Sequence, residues 1–342
     1  MARDDRGCRD AAINRRSVLA GGVLAGVPSL ARAQASRGAA AIVAEDPGFA
    51  AVVDPDAPVV TLYAAGRWCE GPVWVPRLGA LVFSDVRRDR MLRLGPGAPP
   101  AIQREPSANA NGNALDAEQR LVTCEHGNRR VVREEPDGRL TVLADRFEGR
   151  PLNSPNDVVV ARDGAVWFTD PTYGIDNPEE GRPAPSEQRG RFVFRLDPDG
   201  TLAVASDSFV QPNGLAFSPD GTILYVAESG GGAHPDSGSG ATREIRAFDV
   251  IDGPRLARER VFARLASGVP DGLKVDVGGR LYAGTGEGAR VWRPDGTPLG
   301  RIATPGPCAN IAFGGPDARR LFLCCGPAVL AVDLRVRGPV PA

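Results

Sequence analysis

The chain has 342 residues and a formal net charge of -1, and 42% of its residues are hydrophobic while 24% are charged. This composition fits one large folded domain or two ordinary ones and excludes an intrinsically disordered chain. The nearly balanced charge gives no reason to expect nucleic acid or an anionic membrane as a partner. Glycine (42 residues) and proline (31 residues) are spread evenly, which favours many short strands over long helices.

Residues 1–33 are typical of an export signal of the twin-arginine type. Arg15 and Arg16 precede a short, glycine-containing apolar run, and Ala31–Ala33 forms a small-x-small cleavage site. The run is short for a bilayer span. The sequence therefore predicts a periplasmic protein that begins near Gln34 and keeps no stable membrane anchor once the signal is removed.

One short pattern recurs six times after a linker at residues 34–58. Each copy begins with a carboxylate or amide residue, continues into an apolar run, and reaches a turn centre seven residues later. The polar residues are Glu70, Asn111, Asn156, Asn213, Asp271 and Asn310. Their intervals of 41, 45, 57, 58 and 39 residues, with several strand-like runs in each, are typical of propeller blades. We predict an all-β fold over residues 59–336, a six-bladed β-propeller with four antiparallel strands per blade.

The last repeat lacks a fourth strand. It supplies Ile311–Phe313, Leu321–Cys324 and Val329–Leu334, while a spare strand, Val59–Tyr63, precedes the first repeat. Adding this N-terminal strand to the last blade would close the ring and protect an otherwise exposed edge.

Two insertions, Tyr173–Gly190 and Ser229–Thr242, lengthen the third and fourth repeats. If each polar residue stands at the top of an innermost strand, both insertions follow a second strand and return to that same face. We expect them to cover the entrance of a site and to carry specificity. The alternative is that they are loops without a role.

Four of the polar residues form a hard, all-oxygen ligand set. They are Glu70, Asn156, Asn213 and Asp271. Two carboxylates and two amide oxygens, completed by waters, suit Ca²⁺ or another hard divalent cation. Zinc is not expected, because the chain contains only two histidines. Asn111 and Asn310 share the register and would hold waters or lie behind the ligands.

A structural alternative exists for each of these polar residues. Asn-Gly, Pro-Asn and Pro-Asp are common turn pairs, so any single one is weak evidence for a site. Six in one register argue more strongly for a shared placement.

Further candidates lie at the ends of second strands. His126 would point into the loop region above the ring, as a substrate contact, a proton carrier or a hydrogen-bonded structural histidine. Asp85, Asp170 and Glu228 end the corresponding strands of blades one, three and four and would line the cup or cap the strands. The sequence contains no G-x-S-x-G elbow and no glycine-rich phosphate loop.

Five cysteines follow the signal segment, at Cys69, Cys124, Cys308, Cys324 and Cys325. Their spacing fits no zinc pattern. Cys69 and Cys308 flank equivalent positions of blades that are neighbours in a closed ring, so a disulfide between them and two buried free thiols are both consistent with the sequence.

The repeats resemble those of the SMP-30/gluconolactonase/luciferin-regenerating family, and most closely its bacterial gluconolactonases. The similar motifs are EGPVW, LVTCEHGNRR, LNSPNDVVVARDGAVWFTDPTYGI, PNGLAFSPDG, PDGLKVD and AFGGPD, and they extend from about Glu70 to Leu334. The resemblance implies a six-bladed propeller with a divalent ion, usually calcium, in the central channel. It also implies that the four ligands are those given above and that Asp271 is the acid/base.

The substrate implied by this resemblance is a small sugar lactone. Its candidate contacts are His126, Asn111, Ser154, Asp170 and Tyr173. Ser154 stands where some members of the family have an arginine that contacts the sugar.

Metal-assisted lactone hydrolysis follows as the predicted chemistry. The ion would polarise the carbonyl, and a water would attack while Asp271 takes its proton and later helps to protonate the ring oxygen. A phosphotriesterase- or arylesterase-like hydrolase on the same site and a non-catalytic periplasmic ligand-binding propeller are the alternatives. The natural lactone and the oligomeric state do not follow from the sequence.

Overall fold

The computed structural model describes residues 40–231, 242–252 and 255–339, and its strands form six antiparallel sheets arranged as a six-bladed β-propeller. The predicted export signal at residues 1–33 and most of the insertion at 229–242 lie outside the described residues. In each sheet the strands that are consecutive in sequence pair antiparallel, and the first strands of neighbouring blades contact each other around the ring. The predicted architecture is confirmed.

The first three blades have four strands each, and the insertion of blade three lies between its second and third strands. The strands of blade one, from the innermost outward, are Cys69–Val75, Ala80–Asp85, Arg90–Leu94 and Ala101–Arg104. Those of blade two are Ala110–Leu115, Leu121–Glu125, Arg130–Glu134 and Leu140–Ala144. Those of blade three are Val158–Val160, Val166–Asp170, Phe192–Leu196 and Leu202–Ser206. A two-residue hairpin, Arg146–Phe147 with Arg150–Pro151, connects blades two and three.

The last three blades follow the same order, and strands from the N-terminal part of the chain complete two of them. The strands of blade four are Pro212–Phe217, Ile223–Glu228, Glu244–Ile251 and Arg255–Arg264. Those of blade five are Leu273–Val275, Leu281–Thr285, Gly288–Trp292, Pro298–Ala303 and Ala41–Ala44. Those of blade six are Asn310–Gly314, Arg320–Cys325, Ala328–Asp333 and Val60–Tyr63.

Helical segments are short. Among the described residues, three 3-10 turns occupy Pro47–Ala51, Pro76–Leu78 and Val86–Arg88, and one α-helical turn occupies Tyr173–Asp176. Within the described part of the chain, no helix combines the length and the apolar character needed to cross a bilayer.

The ring closes through an N-terminal strand. Val60–Tyr63 pairs antiparallel with Ala328–Asp333, so that Val60 lies opposite Ala331 and Tyr63 opposite Val329. Blade six therefore contains both chain-terminal parts of the propeller, as the missing fourth strand of the last repeat predicts. The closing strand covers the outer edge of Ala328–Asp333, which would otherwise be exposed.

A second N-terminal strand lies in the stretch that the sequence treats as a linker. Ala41–Ala44 pairs with Pro298–Ala303 as a fifth, outermost strand of blade five. The 3-10 turn that follows starts at Pro47, is capped by the Asp46 carboxylate, and buries Phe49 against blades five and six. The sequence pattern did not predict this strand and turn, because the segment is rich in alanine and Asp-Pro pairs and alanine is a weak strand signal.

The hydrophobic core lies between neighbouring blades. Phe168 of blade three packs with Val122 of blade two, and Phe83 of blade one packs with Phe322 of blade six. Apolar side chains fill these interfaces because successive residues of a strand point to opposite faces of the sheet. The top of the channel is left to the polar residues that begin each innermost strand.

Candidate active site

A cavity of about 740 Å³ opens at the end of the ring where the innermost strands begin. Five of the six repeated polar residues line it, namely Glu70, Asn111, Asn156, Asn213 and Asp271. The sixth, Asn310, is buried directly behind them (3% exposed). The structure thus brings the six residues to one place, as their shared register predicts.

The insertion of blade three forms part of the wall of this cavity. Its helical turn and the following loop contribute Tyr173, Asp176, Asn177 and Glu180, and Ser229 comes from the start of the other insertion. Both insertions therefore reach the face on which the polar residues lie.

Glycine follows the polar residue in four of the six repeats, at Gly71, Gly112, Gly214 and Gly272. A methyl group on Gly214 would overlap the carbonyl oxygen of Asp271, and one on Gly272 would overlap the side chain of Asn310. The absence of a Cβ atom lets neighbouring innermost strands approach closely enough to gather their polar residues.

The two predicted carboxylate ligands are buried together. Burial raises the pKa of Glu70 to about 8, although a hydrogen bond from the Gly71 N–H (3.0 Å) opposes this shift. The pKa of Asp271 is raised well above its ordinary range, first by burial and then by the charge of Glu70. Two like charges in a poorly solvated site are unfavourable unless a proton or a cation compensates them.

A third buried carboxylate, Asp157, was not anticipated from the sequence. Burial raises its pKa, the nearby Lys274 ammonium opposes that rise, and its Oδ2 has no hydrogen-bond partner among the described residues. The amide of Asn310 donates to both Asp157 and Glu70. The available signal was its position directly after Asn156, where most repeats carry glycine.

The amides of the site form a directed chain of hydrogen bonds. Asn111 Nδ2 donates to Asn156 Oδ1 (3.0 Å), and Asn156 Nδ2 donates to Asn213 Oδ1 (2.7 Å). The side chain of Asn213 in turn bonds to the Asp271 carboxylate. Asn156 Oδ1 also lies 3.1 Å from His126 Nε2, so its second lone pair is free for another partner only when that nitrogen carries no proton.

His126 holds the beginning of this chain. Its Nδ1 lies 3.2 Å from the backbone carbonyl oxygen of Glu180 and its Nε2 lies 3.1 Å from Asn156 Oδ1, and both oxygens can only accept. Burial lowers the histidine pKa, so the neutral ring carries one proton and donates to only one of these two oxygens. With the proton on Nδ1, Nε2 accepts the second N–H of Asn111 Nδ2, at 3.2 Å.

These groups fit a hard divalent cation. Glu70, Asn156, Asn213 and Asp271 present two carboxylates and two amide oxygens, and the unpartnered oxygen of Asp157 adds negative potential beside them. Within the described residues, no cluster of three or more His, Cys, Asp or Glu side chains is placed to hold a metal. Any ion here would therefore depend on amide oxygens for half of its side-chain ligands.

The predicted substrate contacts divide into two groups. Asn111 and Tyr173 line the cavity, whereas His126, Ser154 and Asp170 are fully buried behind its wall. Ser154 Oγ donates to the Pro171 carbonyl oxygen (2.7 Å) and accepts the Gly174 N–H (3.0 Å), and Asp170 accepts the Asn153 N–H (2.8 Å). In this arrangement the three buried side chains fix the wall instead of facing a substrate.

Tyr173 brings a phenol to the carboxylates. Its pKa is raised by burial and then by the charge of Asp271, and its hydroxyl also neighbours the side chains of Ser229 and Asn213. The phenol therefore stays protonated at neutral pH and is a hydrogen-bond donor facing the cavity.

An ion pair at the rim ties the insertion to blade one. Arg87 Nη2 lies 2.6 Å from Glu180 Oε1, and the Arg87 guanidinium stacks 4.8 Å from the ring centroid of Trp68. All three side chains line the cavity, and none of them belongs to the repeated motif. Their proximity depends on the path of a long insertion, so no local pattern in the sequence marks it.

The cysteines of the described residues are free thiols. Cys69 and Cys308 are both buried and unlinked, which settles the open pairing in favour of free thiols.

Comparisons with known proteins agree with this geometry. The SMP-30/Gluconolactonase/LRE-like region matches residues 68–325. A gluconolactonase from Zymomonas mobilis is 32% identical over 316 residues, which cover 85% of this chain and 85% of that protein. A solved gluconolactonase structure from Xanthomonas campestris is 41% identical with a TM-score of 0.79, covering 87% of this chain and 95% of the other.

A more distant structural neighbour shows the fold alone. Regucalcin from Agrobacterium tumefaciens, described as a calcium-binding protein, is 19% identical with a TM-score of 0.66 and covers 82% of this chain and 96% of its own. The matched region of the family contains all six repeated polar residues.

Proposed function

Because the chain belongs to the SMP-30/gluconolactonase/LRE-like family, we propose that it hydrolyses a sugar lactone with the help of a hard divalent cation, of which Ca²⁺ fits best. The observation that carries this proposal is the pair of buried carboxylates, Glu70 and Asp271, beside two ligand amides on one cavity. The relative from Zymomonas mobilis is named a gluconolactonase, which supports a lactone as the substrate class.

The proposed ligands are Glu70, Asn156, Asn213 and Asp271. When bound, the cation polarises the lactone carbonyl and stabilises the negative charge that develops on its oxygen. Asp271 accepts a proton from the attacking water and returns it to the ring oxygen as the ester bond breaks. Tyr173 donates a hydrogen bond to an oxygen of the reacting ester, since its phenol remains protonated.

The function is tested by pH-stat assays of purified protein with glucono-1,5-lactone, corrected against a buffer blank. We expect hydrolysis that chelator abolishes and added Ca²⁺ restores. Failure to exceed the blank with a panel of lactones would favour a ligand-binding propeller. Turnover of an activated organophosphate or an aryl ester in preference to lactones would favour the other hydrolase class.

Substitution of Glu70 tests the cation site. Glu70→Gln keeps the shape but removes one of the two ligand charges, so we expect at least a tenfold loss of Ca²⁺ affinity by calorimetry and activity at the blank level. Glu148→Gln, in the exposed hairpin between blades two and three and outside the cavity, is the control and should behave like wild type. Full activity in Glu70→Gln would contradict the proposed site.

Substitution of Asp271 distinguishes its proposed role as a cation ligand from its proposed role as a general base. An amide still offers an oxygen to a cation but cannot accept the proton of water, so Asp271→Asn should lower kcat by about 10²–10⁴ and lower Ca²⁺ affinity much less. The two effects are measured by steady-state kinetics and calorimetry on the same preparation. Equal losses of kcat and of Ca²⁺ affinity would show that Asp271 acts only as a ligand and not as the base.

We also propose that residues 1–33 direct export to the periplasm by the twin-arginine route. The Arg15–Arg16 pair, the mild apolar run and the Ala31–Ala33 cleavage site support this. Replacing both Arg15 and Arg16 by lysine should retain the protein in the cytoplasmic fraction of the cells. The same change at Arg6 and Arg9 is the charge-matched control, and retention of both variants or of neither would contradict the proposed route.

A further inference from the structure

The last residue of the second strand has a recurring role in the propeller. In blades one, three and four it is a carboxylate that accepts backbone N–H groups from the loop entering the innermost strand, an arrangement that we call the carboxylate clasp. These bonds run from Trp68 to Asp85 (3.2 Å), from Asn153 to Asp170 (2.8 Å) and from Gln211 to Glu228 (2.9 Å). Each clasp fixes one part of the wall around the cavity.

Blade six has a cysteine at this position. Its second strand ends at Cys325, and its entering loop carries Cys308 two residues before Asn310, the position that Trp68 and Gln211 occupy in their blades. Asn310 lies opposite Cys324 in the ladder, and the Ala309 N–H donates to the Cys324 carbonyl oxygen (2.8 Å). The register therefore places Cys308 beside the end of the strand that Cys325 terminates.

The four cysteines of this region lie on two faces of blade six. Cys308 and Cys325 are buried in the apolar cluster shared with blade five, whereas Cys69 and Cys324 are buried in the cluster shared with blade one. Cys324 and Cys325 point to opposite faces because successive side chains of a strand alternate. Because of this alternation, Cys308 and Cys325 lie on the same face of blade six, whereas Cys69 lies against the opposite face.

The two thiols are buried in the same cluster (1% and 6% exposed), and the Cys325 side chain is the first cause that raises the pKa of the Cys308 thiol. The Cys308 Sγ also lies 3.7 Å from the Asn310 carbonyl oxygen, at the end of blade six where Cys325 terminates its strand. A disulfide between neighbouring cysteines closes an S–S bond of about 2.05 Å. Cys308 also lines the cavity, which gives a small reagent a route to the pair.

We propose that Cys308 and Cys325 form an oxidisable pair whose disulfide clasps the entering loop to blade six. A small-molecule disulfide is the oxidant. The two S–H bonds break, one S–S bond forms, and the two electrons and two protons reduce the oxidant to two thiols. The crosslink takes the place of the carboxylate clasp and fixes the stretch of cavity wall that contains Cys308. It is independent of the proposed lactone hydrolysis.

The pair is mapped in the full-length protein after equilibration with oxidised glutathione. Trypsin releases the relevant cysteines in three different peptides. Cys308 lies in residues 302–319, Cys324 and Cys325 lie in residues 321–335, and Cys69 lies in residues 68–77. We expect the first two peptides to be joined in wild-type protein under non-reducing mass spectrometry. We also expect four of the six cysteines to remain reactive toward a thiol reagent after denaturation.

Adjacent cysteines supply the matched variants. Cys325→Ala should abolish the joined peptides, and Cys324→Ala, a buried cysteine one residue away, should retain them. Joined peptides that persist in Cys325→Ala, or a link to the Cys69 peptide, would overturn the assignment. The assignment would also be overturned if no link formed in folded wild-type protein and none formed in wild-type protein refolded in the same glutathione buffer. Cys308→Ala, which should also lose the link, covers the case in which Cys325→Ala fails to fold.

Discussion

Buried carboxylates of the propeller differ in what compensates their charge. Asp85 at the end of the second strand of blade one has the guanidinium of Arg90 at 3.1 Å. Glu70 and Asp271 both line the cavity, and neither forms an ion pair with a described residue, which suits a bound cation. Asp170 relies on backbone N–H groups and a more distant Arg129, and its Oδ1 has no hydrogen-bond partner among the described residues.

Asp170 provides a pH prediction. Burial raises its pKa from 3.8 to about 7, so the folded state holds a proton that the unfolded state has lost between these values. This stabilising contribution is complete below pH 3.8 and disappears as the pH rises through 7, a difference of roughly 4 kcal/mol. Asp170→Asn removes this titration. The free energy of unfolding of the variant, compared with that of wild type, should therefore be more favourable at pH 8 than at pH 4.5.

Chemical denaturation at the two pH values measures this change in the free energy of unfolding. Asp137→Asn, at a turn where the side chain is 68% exposed, is the control and should show no pH-dependent difference from wild type. A constant difference between Asp170→Asn and wild type across the range would contradict the assigned titration.

The blade-three insertion is the element that joins the site to its rim. Its Glu180 carbonyl oxygen lies 3.2 Å from His126 Nδ1 of blade two, and its glutamates pair with Arg67 (2.7 Å) and Arg87 (2.6 Å) of blade one. The insertion also carries Tyr173 into the cavity. Contacts with two blades hold it over the proposed ligand residues, so a weakened rim should affect substrate binding before it affects the fold.

The rim ion pair tests this role. A partly exposed pair of this kind contributes roughly 1 kcal/mol, so Arg87→Ala should raise KM for the lactone about fivefold, with a smaller difference from wild type in high salt. Steady-state kinetics at two salt concentrations measure the effect. Arg189→Ala removes another ion pair of the same insertion, with Glu148, that lies outside the cavity, and it should leave KM unchanged. Equal KM values for both variants would show that the rim pair has no role in binding.

Closure of the ring is the property of the whole molecule on which the site depends. The proposed ligand residues come from blades one, three, four and five, so they stay together only if the first and last blades are joined. That joint consists of Val60–Tyr63 in blade six, supported by the Tyr63 and Phe83 rings, whose centroids are 5.4 Å apart.

Two truncated chains distinguish the effect of the closing strand of blade six from that of the additional outer strand of blade five. A chain that starts at residue 65 loses the closing strand and exposes an edge in blade six, so we expect a large drop in the thermal unfolding midpoint or loss of cooperative unfolding. A chain that starts at residue 46 loses only the outermost strand of blade five and should show a smaller drop. Circular dichroism measures both, and equal midpoints for the two chains would contradict the closing role.

Most of the architecture and part of the site could be predicted from local patterns. Strand periodicity and turn chemistry mark the blades, and a missing strand at one end with a spare strand at the other marks the closure. The repeated register also places Glu70 and Asp271 at one end of the channel. Ala41–Ala44 was missed because its strand signal is weak and its partner strand lies more than 250 residues away.

The sequence alone determined the number of blades, the closing strand and the meeting of six polar residues, because each depends on spacing along the chain. Only the tertiary structure decided which side chains face the cavity. It placed His126 and Ser154 behind the wall and added Asp157 to the buried charge. It also buried Cys308 in the same apolar cluster as Cys325, apart from Cys69. These outcomes depend on contacts between blades and insertions, which no local pattern encodes.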